Sequence, residues 1–329
     1  MINMNFAWVT GAGGFIGSHM VDYLITKGWT VIASILPGKN KKNLTHLIDA
    51  NLNRFILLEI DMKDQKMIDE LLSKYNFNVI FHYAAQSTVK PSWEDPKYTI
   101  EVNIIGTINI FESLKKYNKK TKVVLACSSA EYGTQSEDEL PLKETNHLRA
   151  IHPYGISKIG QELLARQYWI NFKIPSVNMR FFNQTGPRKD NDACSEFGRK
   201  VAKIASRKSP PFIEVGNLET YRDITGIKDT INASWLMYEK GIPGETYNVC
   251  SAKPTKIRDV LNYLISLSEK EIEIRENTPD LLRHTDEPII LGDNTKIKQE
   301  LGFSISQDIN SLLTDIFNYW MKYYQTNDD

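Results

Sequence analysis

Ala7-Trp8-Val9-Thr10-Gly11-Ala12-Gly13-Gly14-Phe15-Ile16-Gly17-Ser18-His19 begins as an apolar strand and ends by opening an amphipathic helix. Gly11, Gly14 and Gly17 stand three apart, which lets the chain turn tightly, approach a pyrophosphate closely and seat the helix on the strand. The unpaired N–H groups of the helix N-terminus then face the phosphates. A purely structural glycine-rich turn has the same composition, so the strand-to-helix context is what favours a dinucleotide site.

Outward from this stretch, short apolar runs alternate with longer amphipathic ones. Strands are expected at Asn5–Thr10, Thr30–Ser34, Arg54–Glu59, Asn78–His82, Lys122–Cys127 and Pro175–Arg180. Helices are expected between them at Phe15–Lys27, Gln65–Lys74, Lys97–Lys116 and Tyr154–Asn171. Strand and helix alternating this often predict an α/β fold with a Rossmann-type doubly wound parallel sheet. After Asn183 the pieces shorten to helices at Glu196–Arg207, Lys228–Glu239, Lys256–Ser268, Thr295–Leu301 and Ile309–Tyr324, with a strand at Phe212–Val215. The expected division is a dinucleotide-binding domain over 1–183 and a smaller mixed α/β C-terminal lobe over 184–329. That lobe would rest on the carboxyl edge of the sheet and bind substrate, with some elements returning to the core.

The chain has 329 residues, with 40 basic residues balancing 40 acidic ones. Neutrality argues against a nucleic-acid-binding surface unless the charges segregate sharply in space. With 41% hydrophobic and 24% charged residues, the chain can bury a sizeable core. Cys127, Cys194 and Cys250 form no C-x-x-C pair, so neither a zinc site nor a disulfide framework is expected, and a reducing cytoplasm fits. No basic leader and no apolar run of membrane-spanning length is present, so no membrane association is expected. The six histidines show no metal spacing; His82 and His152 read as packing or capping residues, and no metal is expected.

In dinucleotide folds of this kind an acid ending the second strand holds the adenosine ribose, and a basic residue nearby accepts the 2′-phosphate of NADP. Here Val31-Ile32-Ala33-Ser34 runs into Ile35-Leu36-Pro37-Gly38-Lys39 with no acid. Lys39, Lys41 and Lys42 can neutralise a phosphate or can simply be solvated, so NAD and NADP both stay open. Asp61 follows the third strand and can accept the adenine amino group, with Met62 on the ring, or can cap the next helix. Tyr154 and Lys158 stand four apart at the start of a helix and share a face. An ammonium beside a phenol lowers its pKa from the usual value near 10 towards the working range. Ser128 ends the fifth strand, where it can hydrogen-bond a reacting oxygen together with Tyr154, or merely terminate the strand.

These residues resemble the extended short-chain dehydrogenase/reductase family that modifies nucleotide sugars, over essentially the whole chain. The resemblance rests on Thr10 to Gly17, Tyr83-Ala84-Ala85-Gln86, the helix containing Asn103, Ser128-Ser129, Tyr154 with Lys158, and Arg180-Phe181-Phe182-Asn183-Gln184-Thr185-Gly186-Pro187. It continues through Val215-Gly216-Asn217-Leu218, Tyr221-Arg222-Asp223, Tyr247 to Ser251, and Arg283-His284-Thr285-Asp286. Within the family the chain looks most like the GDP-sugar branch of GDP-mannose 4,6-dehydratases and GDP-4-keto-6-deoxymannose reductases, its C-terminal half most like the reductases. The resemblance implies a Ser128, Tyr154, Lys158 catalytic triad. It implies that Gly11, Gly14, Phe15, Ile16, Gly17, Asp61, Met62, Ala84 and Ala85, with Tyr154 and Lys158, line NAD or NADP. It further implies that Asn183, Lys203, Asn217, Arg222, Arg283 and Asp286 hold the nucleoside diphosphate. Arg222 and Arg283 suit that role chemically, because a guanidinium offers a fork of donors to a pyrophosphate. A homodimer is implied too, pairing the helices near Lys97–Lys116 and Tyr154–Asn171 across a two-fold axis into a four-helix bundle.

One position departs from the dehydratase pattern. A 4,6-dehydratase needs a carboxylate two positions before the Tyr-Gly that follows the fifth strand, and here that position is Ala130, with Glu131 one place along. A shift of one residue on a strand end reverses a side chain, so dehydration is disfavoured unless a bulge re-aims Glu131. The expected activity is therefore hydride transfer at C4 of a GDP-linked sugar, most simply reduction of a 4-keto-6-deoxyhexose. C4 dehydrogenation and 4,6-dehydration are the alternatives; a silent NADP(H) sensor would have no need of the tyrosine, lysine and serine together.

Overall fold

The computed structural model describes residues 5–281 and 287–326. β1 (Phe6–Thr10) leads into α1 (Phe15–Thr26), β2 (Thr30–Ile35) into α2 (Thr45–Asp49), and β3 (Phe55–Glu59) into α3 (Gln65–Lys74). β4 (Val79–His82) is followed by α4 (Val89–Glu94), α5 (Pro96–Ile100) and α6 (Gly106–Tyr117), and β5 (Lys122–Ser128) by α7 (Pro153–Phe172) and β6 (Ser176–Phe181). Then come β7 (Asn183–Thr185), α8 (Ala193–Ala205), β8 (Phe212–Glu214), β9 (Tyr221–Gly226), α9 (Ile227–Glu239) and β10 (Thr246–Val249). β11 (Pro254–Lys256), α10 (Ile257–Leu267), β12 (Glu273–Arg275), β13 (Ile289–Ile290), α11 (Thr295–Leu301) and α12 (Ile309–Thr326) complete the order.

Seven strands form one parallel sheet in the order β10-β6-β5-β4-β1-β2-β3, the doubly wound arrangement the alternation predicts. All its strands but the half-buried edge strand β3 are buried on both faces, which is why they read as continuous apolar runs. Successive side chains go to opposite layers. Ala7 and Val9 join Met20, Leu24, Val31 and Val124 on one side, while Trp8 joins Ile32, Ile80, Ile110 and Leu125 on the other. A separate core of Val201, Leu261, Leu264, Ile316 and Trp320 binds α8, α10 and α12 into a second lobe. A small sheet of β11, β9 and β13, with β7 on β9, begins just past the carboxyl end of β6.

The chain does not divide between the layers by simple position. β10 pairs with β6 at the end of the large sheet, and Ile227, Ile231 and Met237 of α9 and Ile297 and Leu301 of α11 pack into the first core. The helix expected as one piece over Lys97–Lys116 is interrupted by a π turn at Glu101–Ile105 between α5 and α6. Asn103 explains the break: its Oδ1 accepts from Gln86 N at 2.8 Å, and its Nδ2 donates to Gln86 O at 3.0 Å and to Ser157 Oγ at 2.8 Å. The bulged turn thus holds the loop after β4 against α7. Among the described residues no helix is long and apolar enough to cross a membrane.

Candidate active site

The sheet reverses its winding between β1 and β4, and the crevice at the carboxyl ends of these strands is where doubly wound folds bind ligands. Gly11 has φ +64°, and a Cβ there would lie 2.8 Å from Ala84 N. A Cβ on Gly17 would lie 2.3 Å from Gly11 O, so α1 can approach the turn only without a side chain. Gly14 is exposed and its N–H is spent on Gly11 O, while Phe15 and Ile16 follow, half-buried, as the first residues of α1. Among the described residues no side chain caps that helix. Thr10 Oγ1 accepts from Ala84 N at 3.0 Å, bringing Ala84 and Ala85 to the same crevice. A cradle lined by backbone, with open helix N–H groups at its floor, fits a dinucleotide pyrophosphate.

The loop after β2 folds onto this cradle, where Asn43 Nδ2 donates to Gly13 O at 3.0 Å. Lys41 pairs with Glu59 at 2.8 Å and Lys42 with Asp190 at 3.2 Å, so two of the three lysines that could neutralise a phosphate already have carboxylate partners. Lys39 is exposed. Asp61 Oδ1 accepts from Lys63 N, closing the turn before α3, and the cap of α3 is Asp64, which accepts from Lys66 N and Met67 N. The capping role considered for Asp61 therefore falls to Asp64. Met62 is buried beneath α6, with its carbonyl accepting from Asn109 Nδ2.

Tyr154 and Lys158 lie in the first turns of α7, whose N-cap is His152, its Nδ1 accepting from Gly155 N at 3.0 Å. The Ser128 side chain faces the Tyr154 phenol and favours its ionised form, an effect that burial outweighs. Ser128 Oγ also accepts from Ala130 N at 3.2 Å. Lys158 Nζ donates to Ala126 O at 2.7 Å and stands 5.9 Å from the centre of the Tyr154 ring. Burial pushes Tyr154 up to about 12, against the lowering expected from Lys158, and burial pulls Lys158 down. The ammonium is turned to a carbonyl rather than to the phenol, so desolvation dominates and the phenol keeps its proton at neutral pH.

Under this pair runs a polar network that sequence patterning does not reveal. Thr10 Oγ1 meets His82 Nδ1 at 2.8 Å, His82 Nε2 meets Thr107 Oγ1 at 3.1 Å, and Gln161 Nε2 donates to Thr107 Oγ1. Burial and the Lys158 charge hold His82 neutral, near 3. Glu131 is fully buried: Oε1 accepts from Ser128 N at 3.0 Å and Oε2 lies 3.3 Å from Arg180 Nε. Arg180 forks onto Glu162 at 2.9 and 2.6 Å and donates through Nη1 to Tyr132 Oη and Glu144 O. Cys127, Glu131 and Glu162 lie close enough to share a cation, and the cation beside them is this guanidinium. No bulge re-aims Glu131 into the crevice. A signal for the network was present in α7, where Ser157, Lys158, Gln161 and Glu162 are buried while Ile156, Leu163 and Ile170 are exposed.

The residues expected to hold the nucleoside diphosphate are spread over the second lobe. Asn183 on β7 donates to Asp223 O, and Asn217 Oδ1 accepts from Glu219 N in a turn. Lys203 on α8 reaches over the Tyr324 ring at 5.8 Å, near Arg199, Lys200 and Phe212. Arg222 is buried on β9, its Nη1 donating to Tyr221 O and Glu287 O, so part of its fork ties β9 to the segment before β13. Beside it Asp223 accepts from Ser251 N, Ser251 Oγ, Ala252 N and Gly292 N, joining two loops to β9. Arg283 and Asp286 lie outside the described residues.

A glycine cradle at the winding reversal, with Ser128, Tyr154 and Lys158 beside it and a second lobe beyond, defines the extended short-chain dehydrogenase/reductase class of nucleotide-sugar enzymes. The family model described as GDP-mannose 4,6 dehydratase matches residues 8–316, and the chain belongs to that family. The GDP-6-deoxy-D-mannose reductase of Pseudomonas aeruginosa is 27% identical over 315 residues, covering 94% of this chain and 96% of that protein. A UDP-glucose 4-epimerase of Mycoplasma genitalium is 26% identical over 343 residues, covering 96% of each. The structure of RMD from Pseudomonas aeruginosa complexed with NADPH has the same fold, with a TM-score of 0.83, 24% identity and coverage of 97% of this chain and 100% of that one.

Proposed function

We propose that this protein transfers hydride at C4 of a GDP-linked sugar, in the direction that reduces a GDP-4-keto-6-deoxyhexose. NAD or NADP, bound over the glycine cradle, supplies or takes up the hydride. Tyr154 holds its proton at neutral pH, which suits a donor to the carbonyl oxygen as it gains charge. Ser128 orients the same oxygen, and Lys158 offers a buried positive charge to the tyrosine side of the site. The region over 1–183 holds the dinucleotide and that over 184–329 the nucleotide sugar, with β10, α9 and α11 completing the first. Asn183, Lys203, Asn217 and Arg222, with Arg283 and Asp286, are assigned to the nucleoside diphosphate. The exposed Ile156, Leu163 and Ile170, each seven residues apart on α7, support a homodimer formed through α6 and α7.

The observation that carries the choice of reaction is Glu131. It is buried and paired with Arg180, leaving Ala130 where 4,6-dehydration requires a carboxylate. Purified protein given GDP-4-keto-6-deoxymannose with NADPH or NADH should consume the reduced dinucleotide, and given GDP-mannose alone should release no keto sugar. A keto sugar from GDP-mannose without reduction in the other mixture would overturn the proposal in favour of dehydration.

A further inference from the structure

We propose that Glu131 is a positioning residue, setting Ser128 through the hydrogen bond that its Oε1 accepts from the Ser128 backbone N–H, with Arg180 and Glu162 packed behind it. The proposal rests on the hydride-transfer reading for its kinetic test but on geometry for its content. Ser128 is the last residue of β5, and the chain turns immediately after it. Two bonds close that turn from opposite sides: Ala130 N donates to Ser128 Oγ at 3.2 Å, and Ser128 N donates to Glu131 Oε1 at 3.0 Å. The first occupies a lone pair of the hydroxyl and leaves its proton to be directed elsewhere; the second holds the strand end that carries it.

The far side of the carboxylate is what makes this more than a turn. Glu131 Oε2 faces Arg180 of β6, and Arg180 spends its fork on Glu162, one helical turn beyond Lys158 and two beyond Tyr154. Tyr132, next in sequence, accepts from Arg180 and donates to Asn248 Oδ1 of β10 at 2.7 Å. The end of β5 and the catalytic face of α7 are thus referred to one guanidinium, with β6 and β10 behind it. Glu131 and Arg180 direct their polar atoms at Ser128 N, Glu162, Tyr132 and Glu144 O, and so at the protein behind the crevice. A side chain in this place acts by its reach and its acceptor oxygen, and its acidity is not used.

Two variants separate reach from acidity. Glu131→Gln keeps the length and the acceptor for Ser128 N while replacing the oxygen that faces Arg180, which accepts no hydrogen bond among the described residues, by an amide nitrogen; Glu131→Asp keeps the acid and draws it back by one carbon. Both are to be compared with the wild type for kcat, for the KM of the dinucleotide, for the midpoint of urea unfolding, and for the Tyr154 resonance in 13Cζ-tyrosine-labelled protein assigned with Tyr154→Phe. The expected result is that Glu131→Gln keeps kcat within about threefold while Glu131→Asp loses about a hundredfold, the cost of a misplacement near 1 Å, with KM unchanged in both. The Tyr154 resonance should move in Glu131→Asp and stay in Glu131→Gln. The reverse order of kcat would overturn positioning and make Glu131 a proton-transfer acid. Equal kcat in both variants, with only the urea midpoint altered, would overturn it in favour of a purely structural role. A wild type that turns over no GDP sugar overturns the hydride-transfer reading instead, and the Tyr154 resonance then decides positioning: unmoved in Glu131→Asp, it refutes the role.

Discussion

Replacing Arg180 by Met removes a buried cation while nearly preserving volume, and its cost can be worked from the contacts. The guanidinium makes two bonds to Glu162 at 2.9 and 2.6 Å, one to Tyr132 Oη at 2.9 Å and one to Glu144 O at 3.1 Å, with Glu131 at 3.3 Å. Its loss leaves two buried carboxylates facing each other with no cation between them. Removing one partner of a buried pair costs about 3–5 kcal/mol, a large part of the roughly 5–15 kcal/mol that holds a domain folded. The cost should depend on pH in a fixed direction. Burial and then Glu162 already hold the Glu131 carboxyl above the usual range, with Arg180 opposing them. Without Arg180 the folded state binds a proton more tightly than the unfolded chain, so the stability deficit is largest near neutrality and shrinks as pH falls towards the unfolded carboxyl value. Each unit of raised pKa corresponds to about 1.4 kcal/mol. Urea unfolding of wild type and Arg180→Met at pH 7.5 and pH 5.0, followed by circular dichroism, measures both effects. A loss below about 1 kcal/mol at pH 7.5, or one that grows at pH 5.0, would refute the reasoning.

Three further outcomes are expected. Tyr154→Phe should lower turnover by about 10²–10⁴-fold while dinucleotide affinity, read by fluorescence titration, persists; unchanged turnover would remove Tyr154 from the chemistry. Gly17→Ala forces a methyl to within 2.3 Å of Gly11 O and should cost about 1–3 kcal/mol by thermal unfolding, together with dinucleotide binding. Leu163→Glu places a charge on the exposed apolar face of α7 and should convert a dimer to monomers in sedimentation velocity, with the monomer's urea midpoint little changed.

The parallel sheet was legible because its strands, the edge strand β3 apart, are buried on both faces and its glycine turn has no room for side chains, two constraints that leave marks in a single stretch of chain. Ser128, Tyr154 and Lys158 were legible as residue types and spacings, and the structure brings all three to one place. The direction of the Tyr154 shift was not, because it depends on where Lys158 Nζ points and on how deeply the phenol is buried. Asp64 rather than Asp61 caps α3 for an equally local reason, the register of one turn. The Arg180 network escaped patterning because its members come from the turn after β5, from α7 and from β6, and only the fold makes Glu162 and Glu131 neighbours. Asn103 was noticed as part of a motif, but its bond to Gln86, which breaks the helix, joins residues on two separate elements.

The position of β10 has a consequence for the order in which the chain can mature during synthesis. The sheet's β6 edge is completed by a strand that emerges only after β7, α8, β8, β9 and α9 have been made. Until then the nascent N-terminal part carries an unsatisfied parallel edge, a template for pairing with other chains. Arg180 lies on that edge strand and Asn248, the acceptor for Tyr132, on the late strand. The polar network beneath Ser128 and Tyr154 therefore becomes complete only when β10 has been made, so a chain cut before it should aggregate, and assembly rather than chemistry sets the shortest chain that can work.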